Sequence, residues 1–196
     1  MKNLFSNLTL VLLLAAPGFS LATPVTVGDL EWRQVTDTLG FSWNDFASVC
    51  DPDSGACSGN LGEVSFDGWT WAGIYEIGDL FSTLFGHPGG ISNLQFPYSE
   101  WAPAFFELFD PAPGQYPVAW GWSRDEATAT RGRAARVVDF PYMDQAFTGD
   151  NIDKDITNYQ IGGWFHRSAR VLVPEPGVVL LLGAGLIGLG ITRRSR

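Results

Sequence analysis

The sequence predicts an α+β domain, with two early helices followed by a mostly antiparallel sheet. Three observations carry that expectation: a capped short helix near 42–47, a 3.6-residue apolar period over 72–85, and strand-like runs at 118–122, 134–140 and 163–173. Helical signals that come first and strands that come after them argue against an alternating α/β pattern. The chain has 196 residues with 8 Trp, 5 Tyr and 14 Phe, enough large apolar surface to bury a core and to exclude wholesale disorder. The 23 Gly and 12 Pro make it rich in turns. No internal repeat of 20–50 residues appears.

Taken in order, Val25 to Trp32 alternates and reads as an opening strand. Ser42-Trp43-Asn44-Asp45-Phe46-Ala47 reads as a helix with Ser42 as N-cap and Asp45 at its third position. Gly68-Trp69-Thr70-Trp71 is strand-like. Ile74, Ile77, Leu80, Phe81 and Leu84 recur at helical spacing. Residues 86–114 read as loop-rich, interrupted by the aromatic segment Trp101 to Phe109. The later strands complete the sheet.

Both ends read as segments outside the domain. Residues 1–22 carry Lys2, an apolar stretch from Leu8 to Ala16, and Ser20-Leu21-Ala22 with small residues at the −3 and −1 positions. That is the layout of a secretory signal peptide cleaved after Ala22. Residues 174–196 hold Pro174-Glu175-Pro176, an uninterrupted apolar run from Gly177 to Ile191, and a basic tail 192–196 with Arg193, Arg194 and Arg196. As a helix the run spans about 22 Å at 1.5 Å per residue, short of the roughly 30 Å hydrocarbon core. The expectation is a transmembrane helix that enters the bilayer as a marginal anchor, with the arginines on the cytoplasmic side. Gly183-Ala184-Gly185-Leu186-Ile187-Gly188 spells a dinucleotide-binding fingerprint. It lacks the following helix and the acidic residue about 20 positions on, so it is set aside.

The tripartite C-terminus resembles the PEP-CTERM sorting signal of exported bacterial proteins, through Pro174-Glu175-Pro176, the Gly/Leu-rich segment Val178 to Gly190, and Arg193-Arg194. The resemblance implies an exosortase-type membrane protease as partner, export across the inner membrane with transient C-terminal anchoring, and a final place at the cell surface or in an exopolysaccharide or biofilm matrix. A second, more diffuse resemblance runs through the body. Ser42-Trp43-Asn44-Asp45-Phe46 leading to Cys50, then Gly68-Trp69, Glu76 and Leu80-Phe81, and later Trp120, Trp122-Ser123 and Ala135 to Phe140, is similar to the layout of DUF1566-type domains. It implies a C-type-lectin-like fold. The chain departs from that pattern at Trp69-Thr70-Trp71-Ala72, which has neither the Arg nor the Pro of the family's Trp-Arg-Leu-Pro.

The body between these ends, 23–173, is the exported globular domain. With Lys2, Glu175 and the terminal arginines set aside it is more acidic than the whole chain's −9. That excludes a generic nucleic-acid binder, which needs clustered Lys and Arg for phosphates, and suits cations or neutral glycans. Cys50 and Cys57, an even count in an exported chain, read as a disulfide.

Four constellations could carry chemistry. Asp51 and Asp53 alternate as in a calcium loop, but Glu63 falls one position beyond the twelfth that an EF-hand requires. Asp150, Asp153 and Asp155 form an acidic turn, a second weak calcium candidate, and both are read otherwise as solvated loops. Neither supports a resident metal, and no cofactor is expected beyond possible calcium. Glu100, Glu107 and Asp110 among aromatics would suit a hydrolase of cell-envelope polysaccharide. His87 and His166 lack a nucleophile motif. Trp69 with Trp71, and Trp120 with Trp122, are spaced by two, so each pair faces one side of a strand. Such a face is either core or a platform for stacking sugars. The leading expectation is therefore a non-enzymatic surface or matrix protein with no catalytic residue, and the alternative is the hydrolase.

Overall fold

The structure, a computed structural model, describes residues 23–86, 93–97 and 101–169. The expected signal peptide, His87, Glu100, Pro174-Glu175-Pro176, the apolar helix 177–191 and the tail arginines Arg193, Arg194 and Arg196 lie outside the described residues.

The opening segment is a hairpin rather than one strand: β1 (Val25–Val27) pairs antiparallel with β2 (Leu30–Trp32). Gly28 turns between them at φ +60°, a backbone region that L side chains disfavour. A 3-10 turn (Val35–Thr38) leads to α1 (Trp43–Val49). The expected cap is present in both directions: Asp45 N–H donates to Ser42 Oγ at 3.1 Å and Ser42 N–H donates to Asp45 Oδ2 at 2.8 Å. Two short strands, β3 (Asn60–Leu61) and β4 (Val64–Ser65), form a hairpin of their own before β5 (Thr70–Trp71).

Helix α2 (Ile74–Phe85) buries Ile77, Leu80 and Phe81, the positions that its periodicity marks. Its first amides are satisfied from two directions, with Gly73 N–H donating to Glu76 Oε2 and Ile74 N–H to Asp125 Oδ2. The stretch expected to be loop-rich contains β6 (Asn93–Pro97) and α3 (Trp101–Phe106). There follow β7 (Val118–Thr128), β8 (Arg131–Phe140) and β9 (Met143–Asp153), three long antiparallel strands. The expected strand 163–173 breaks at Trp164 into β10 (Ile161–Gly163) and β11 (Phe165–Ser168).

These strands make a five-stranded sheet in the order β10-β7-β8-β9-β6 and a four-stranded sheet in the order β1-β2-β11-β5. Among the described strands only β10 runs parallel to its neighbour, β7. The break at Trp164 carries the chain from one sheet to the other, and its buried indole donates to Ala135 O at 3.0 Å. α+β is thus the class. Among the described residues no helix is long and apolar enough to cross a membrane.

Two apolar clusters hold the layers together. In one, α2 and α3 place Ile77, Leu80, Phe81 and Phe105 against Ala119, Ala135, Val137 and Ala146 of the large sheet, with Trp32 and Trp164 between. Small residues on the sheet let the aromatic side chains of the helices approach closely, which interior packing density rewards. In the other, α1 contributes Trp43 and Phe46 against Trp71, Trp122, Ala134 and Phe165. Two of its buried indoles keep hydrogen bonds, Trp43 donating to Ser123 O at 3.0 Å and Trp71 to Trp122 O at 3.1 Å, while the Trp122 indole N–H is buried without a partner. The Cys50–Cys57 disulfide edges this second cluster and closes the Asp51–Ala56 turn.

Candidate functional site

Trp120 and Trp122 lie on the outer face of β7, opposite the face that packs on α2. Helix α1 covers that outer face only at one end. There it buries Trp122 completely, with Trp43 and Phe46 in the same cluster. Trp120 lies beyond the helix and remains partly exposed. Around it, β7 and β8 leave a groove of about 300 Å³ lined by Tyr116, Trp120, Arg136 and Phe140, with the amides of Gln115 and Gln160 beside them.

The groove is built by strand register. Trp120 pairs directly with Arg136 across β7 and β8, and Val118 with Val138. Directly opposed side chains are close enough to touch. The Arg136 guanidinium accordingly lies 5.8 Å from the Trp120 ring centroid and 5.6 Å from that of Phe147. Its Nη1 sits 3.2 Å from Asp150 Oδ2. Burial raises the Asp150 carboxyl above its usual range, and the Arg136 charge works against that shift. Phe140 meets Tyr116 edge to face at 5.4 Å, fixing two ring planes at the groove's end. The result is an aromatic surface with one cation and two amides on its margin. Such a surface can hold a ring-shaped ligand by apolar contact and orient its hydroxyls by hydrogen bonds.

The other tryptophans expected as stacking residues are buried. Trp71 and Trp122 have no exposed surface and Trp69 is 7% exposed. Trp71 sits in the second cluster among Trp43, Phe46 and Phe165, on the face of the edge strand β5 that packs inward. The alternation argument located the shared faces and had no access to what would cover them.

The calcium candidates separate in space. Asp51 turns inward on its own loop: Oδ1 accepts from Asp53 N–H and Oδ2 from Ser54 Oγ, and these bonds, the Ser54 hydroxyl first, lower its pKa. The acidic cluster is not a free loop. Asp150 and Asp153 lie on β9, where Asp150 meets Arg136, while Asp153 Oδ1 caps Asp155 N–H and Asp155 accepts from Asn44. Strand pairing with β8, a long-range event, overrode the local turn signal. Among the described residues no three His, Cys, Asp or Glu side chains gather as a metal-holding group. Glu107 and Asp110 are exposed beyond α3 and line no described cavity. His166 stands 3.5 Å from Glu76 and 5.0 Å from the Trp32 ring, in the interior of the small sheet.

Residues 172–194 match the PEP-CTERM protein-sorting motif. The motif implies export, C-terminal membrane anchoring before processing, and processing by an exosortase, which makes this a surface or secreted protein. No curated protein matches the chain, and no solved structure does. The likeness of the body to DUF1566-type and C-type-lectin-like domains accordingly gains no support.

Proposed function

We propose that the folded domain is a non-enzymatic glycan-binding module, delivered to the cell surface by its sorting signal, that holds a neutral saccharide of an extracellular polymer in the Trp120 groove. One observation carries this reading: Trp120 is the member of the expected stacking set that stays partly exposed, and it does so in a groove with Tyr116, Phe140 and Arg136. A large aromatic face left partly in water offers apolar surface to the faces of sugar rings, while Gln115, Gln160 and Arg136 supply donors and acceptors for hydroxyls. The acidic surface of the body favours neutral over polyanionic chains. Exosortase handling brings such a module to the exopolysaccharide of the cell's own matrix. Among the described residues no cavity gathers Glu107 and Asp110, and Glu100 lies outside them.

The test is a titration of the full-length protein in detergent with neutral hexose oligosaccharides, read by tryptophan fluorescence. Saturable binding that falls at least tenfold in Trp120→Ala, with the variant still fully folded at the assay temperature, is the expected result. Equal binding by Trp120→Ala, or measurable hydrolysis of the oligosaccharide, would overturn the reading.

A further inference from the structure

A second cavity, of about 450 Å³, opens beside the small sheet and shares no lining residue with the Trp120 groove. Its chemistry differs from that of the groove. Arg33 follows β2, Arg167 lies on β11, and both guanidinium groups converge on one indole, with Cζ 4.4 Å and 4.3 Å from the Trp69 ring centroid. Arg33 is also 5.0 Å from the Phe66 ring. Cation–π contact of this kind favours a desolvated guanidinium, yet it leaves the in-plane donors to be satisfied elsewhere.

For Arg33 that requirement is only partly met. The side chain is 5% exposed; Nη2 donates to Ser65 O at 2.7 Å, and Nη1 is buried with no hydrogen-bond partner. A buried donor without an acceptor costs about 1–3 kcal/mol, so native structures rarely keep one without a reason. Burial draws the Arg33 pKa down to about 10, an effect that Asp37 opposes and Arg167 reinforces. Arg167 is engaged on one edge, its Nε donating to Glu31 Oε2 at 2.7 Å, and its side chain is 27% exposed. Two like charges over one ring, one of them short of an acceptor, favour an anion. The planar guanidinium fork matches a carboxylate in particular.

The rest of the wall narrows the class. Asp37 and Asp67 line the same cavity with Ser65 and Thr23. Two carboxylates repel a compact dianion such as phosphate, but they accept hydrogen bonds from hydroxyl groups. A ligand with one carboxylate and several hydroxyls satisfies both halves of the wall. We propose that this cavity is a second binding site, for a free or terminal hexuronate, in which Arg33 and Arg167 hold the sugar's carboxylate and Asp67, Ser65 and Thr23 take its hydroxyls. The site is independent of the Trp120 groove and stands if that reading fails.

The test is a calorimetric titration of the full-length protein in detergent with D-glucuronate, alongside glucose, acetate, sulfate and glycine. Glucuronate is expected to saturate, with each comparator at least tenfold weaker. Arg167→Gln is expected to weaken glucuronate at least tenfold, and Trp120→Ala to leave it unchanged. Arg33→Lys keeps the charge without the fork and is expected to weaken binding similarly; should it fail to fold, Arg167→Gln decides. No binding of glucuronate at millimolar concentration, glucose binding as tightly, sulfate or acetate binding as tightly, or preference for glycine would each overturn the proposal. So would unchanged affinity in a folded Arg167→Gln.

Discussion

Trp120 and Trp122 point to the same face of β7, two residues apart, yet helix α1 buries Trp122 entirely and stops short of Trp120. Truncating each should therefore affect stability differently and, on the proposed reading, only Trp120 should affect binding directly. Trp122→Ala leaves a large hole in the second cluster, and truncations of this kind cost about 3–5 kcal/mol. Trp120→Ala is expected to cost less than Trp122→Ala, because Trp120 packs against that cluster only in part, while weakening saccharide binding. Chemical denaturation of both variants checks the contrast, and equal destabilisation would refute it.

Glu76 makes stability depend on acid. His166, 3.5 Å away, is the largest influence lowering its pKa, followed by the donating Gly73 amide and the Arg124 charge, and together they hold it at about 2 rather than 4.5 despite partial burial. A lowered folded-state value means that the contribution is complete above about pH 4.5 and lost as pH falls toward 2. The side chain is 40% exposed, so solvent screening limits the contribution to about 1 kcal/mol. Thermal unfolding of the wild type and Glu76→Gln should differ at pH 7 and converge near pH 2.

Asp139 has the opposite sign. It pairs with Asp144 across β8 and β9, and burial, the Asp144 charge and their hydrogen bond raise its pKa. Its ionised form is destabilising in the folded state, so stability falls as pH rises through the raised value. Asp139→Asn should melt higher than the wild type at pH 7, with the gap closing below pH 3.8, the ordinary value. A lower melting temperature at neutral pH would contradict this.

Gly162 on β10 lies against the carbonyl of Val35 and the Thr38 hydroxyl. A Cβ there would meet backbone that cannot rotate away. Gly162→Ala is expected to lose about 3 kcal/mol, at the upper end for overpacking, measured by urea denaturation. A loss below about 1 kcal/mol would mean that the 3-10 turn yields.

The Cys50–Cys57 bridge closes a short loop, for which the chain-entropy relation gives about 2–3 kcal/mol. The double Cys→Ser variant should unfold at correspondingly lower denaturant, with an unchanged slope. An unchanged midpoint would show that the turn's own hydrogen bonds suffice.

What the sequence by itself determined is local or terminal. Ser42 and Asp45 cap α1 within one turn, the apolar period of α2 is read inside twelve residues, and the sorting motif at 172–194 is contiguous. Each is specified by neighbours a few positions apart, so the information stays in the window where it is read. Tertiary structure decided the rest. β9 takes up the acidic segment around Asp150 because β8 pairs with it, α1 chooses which tryptophan of a shared face remains exposed, and Arg33, Trp69 and Arg167 meet only because β11 lies between β2 and β5. Long-range pairing and burial follow from how the layers close on one another, and no short stretch of chain encodes that closure.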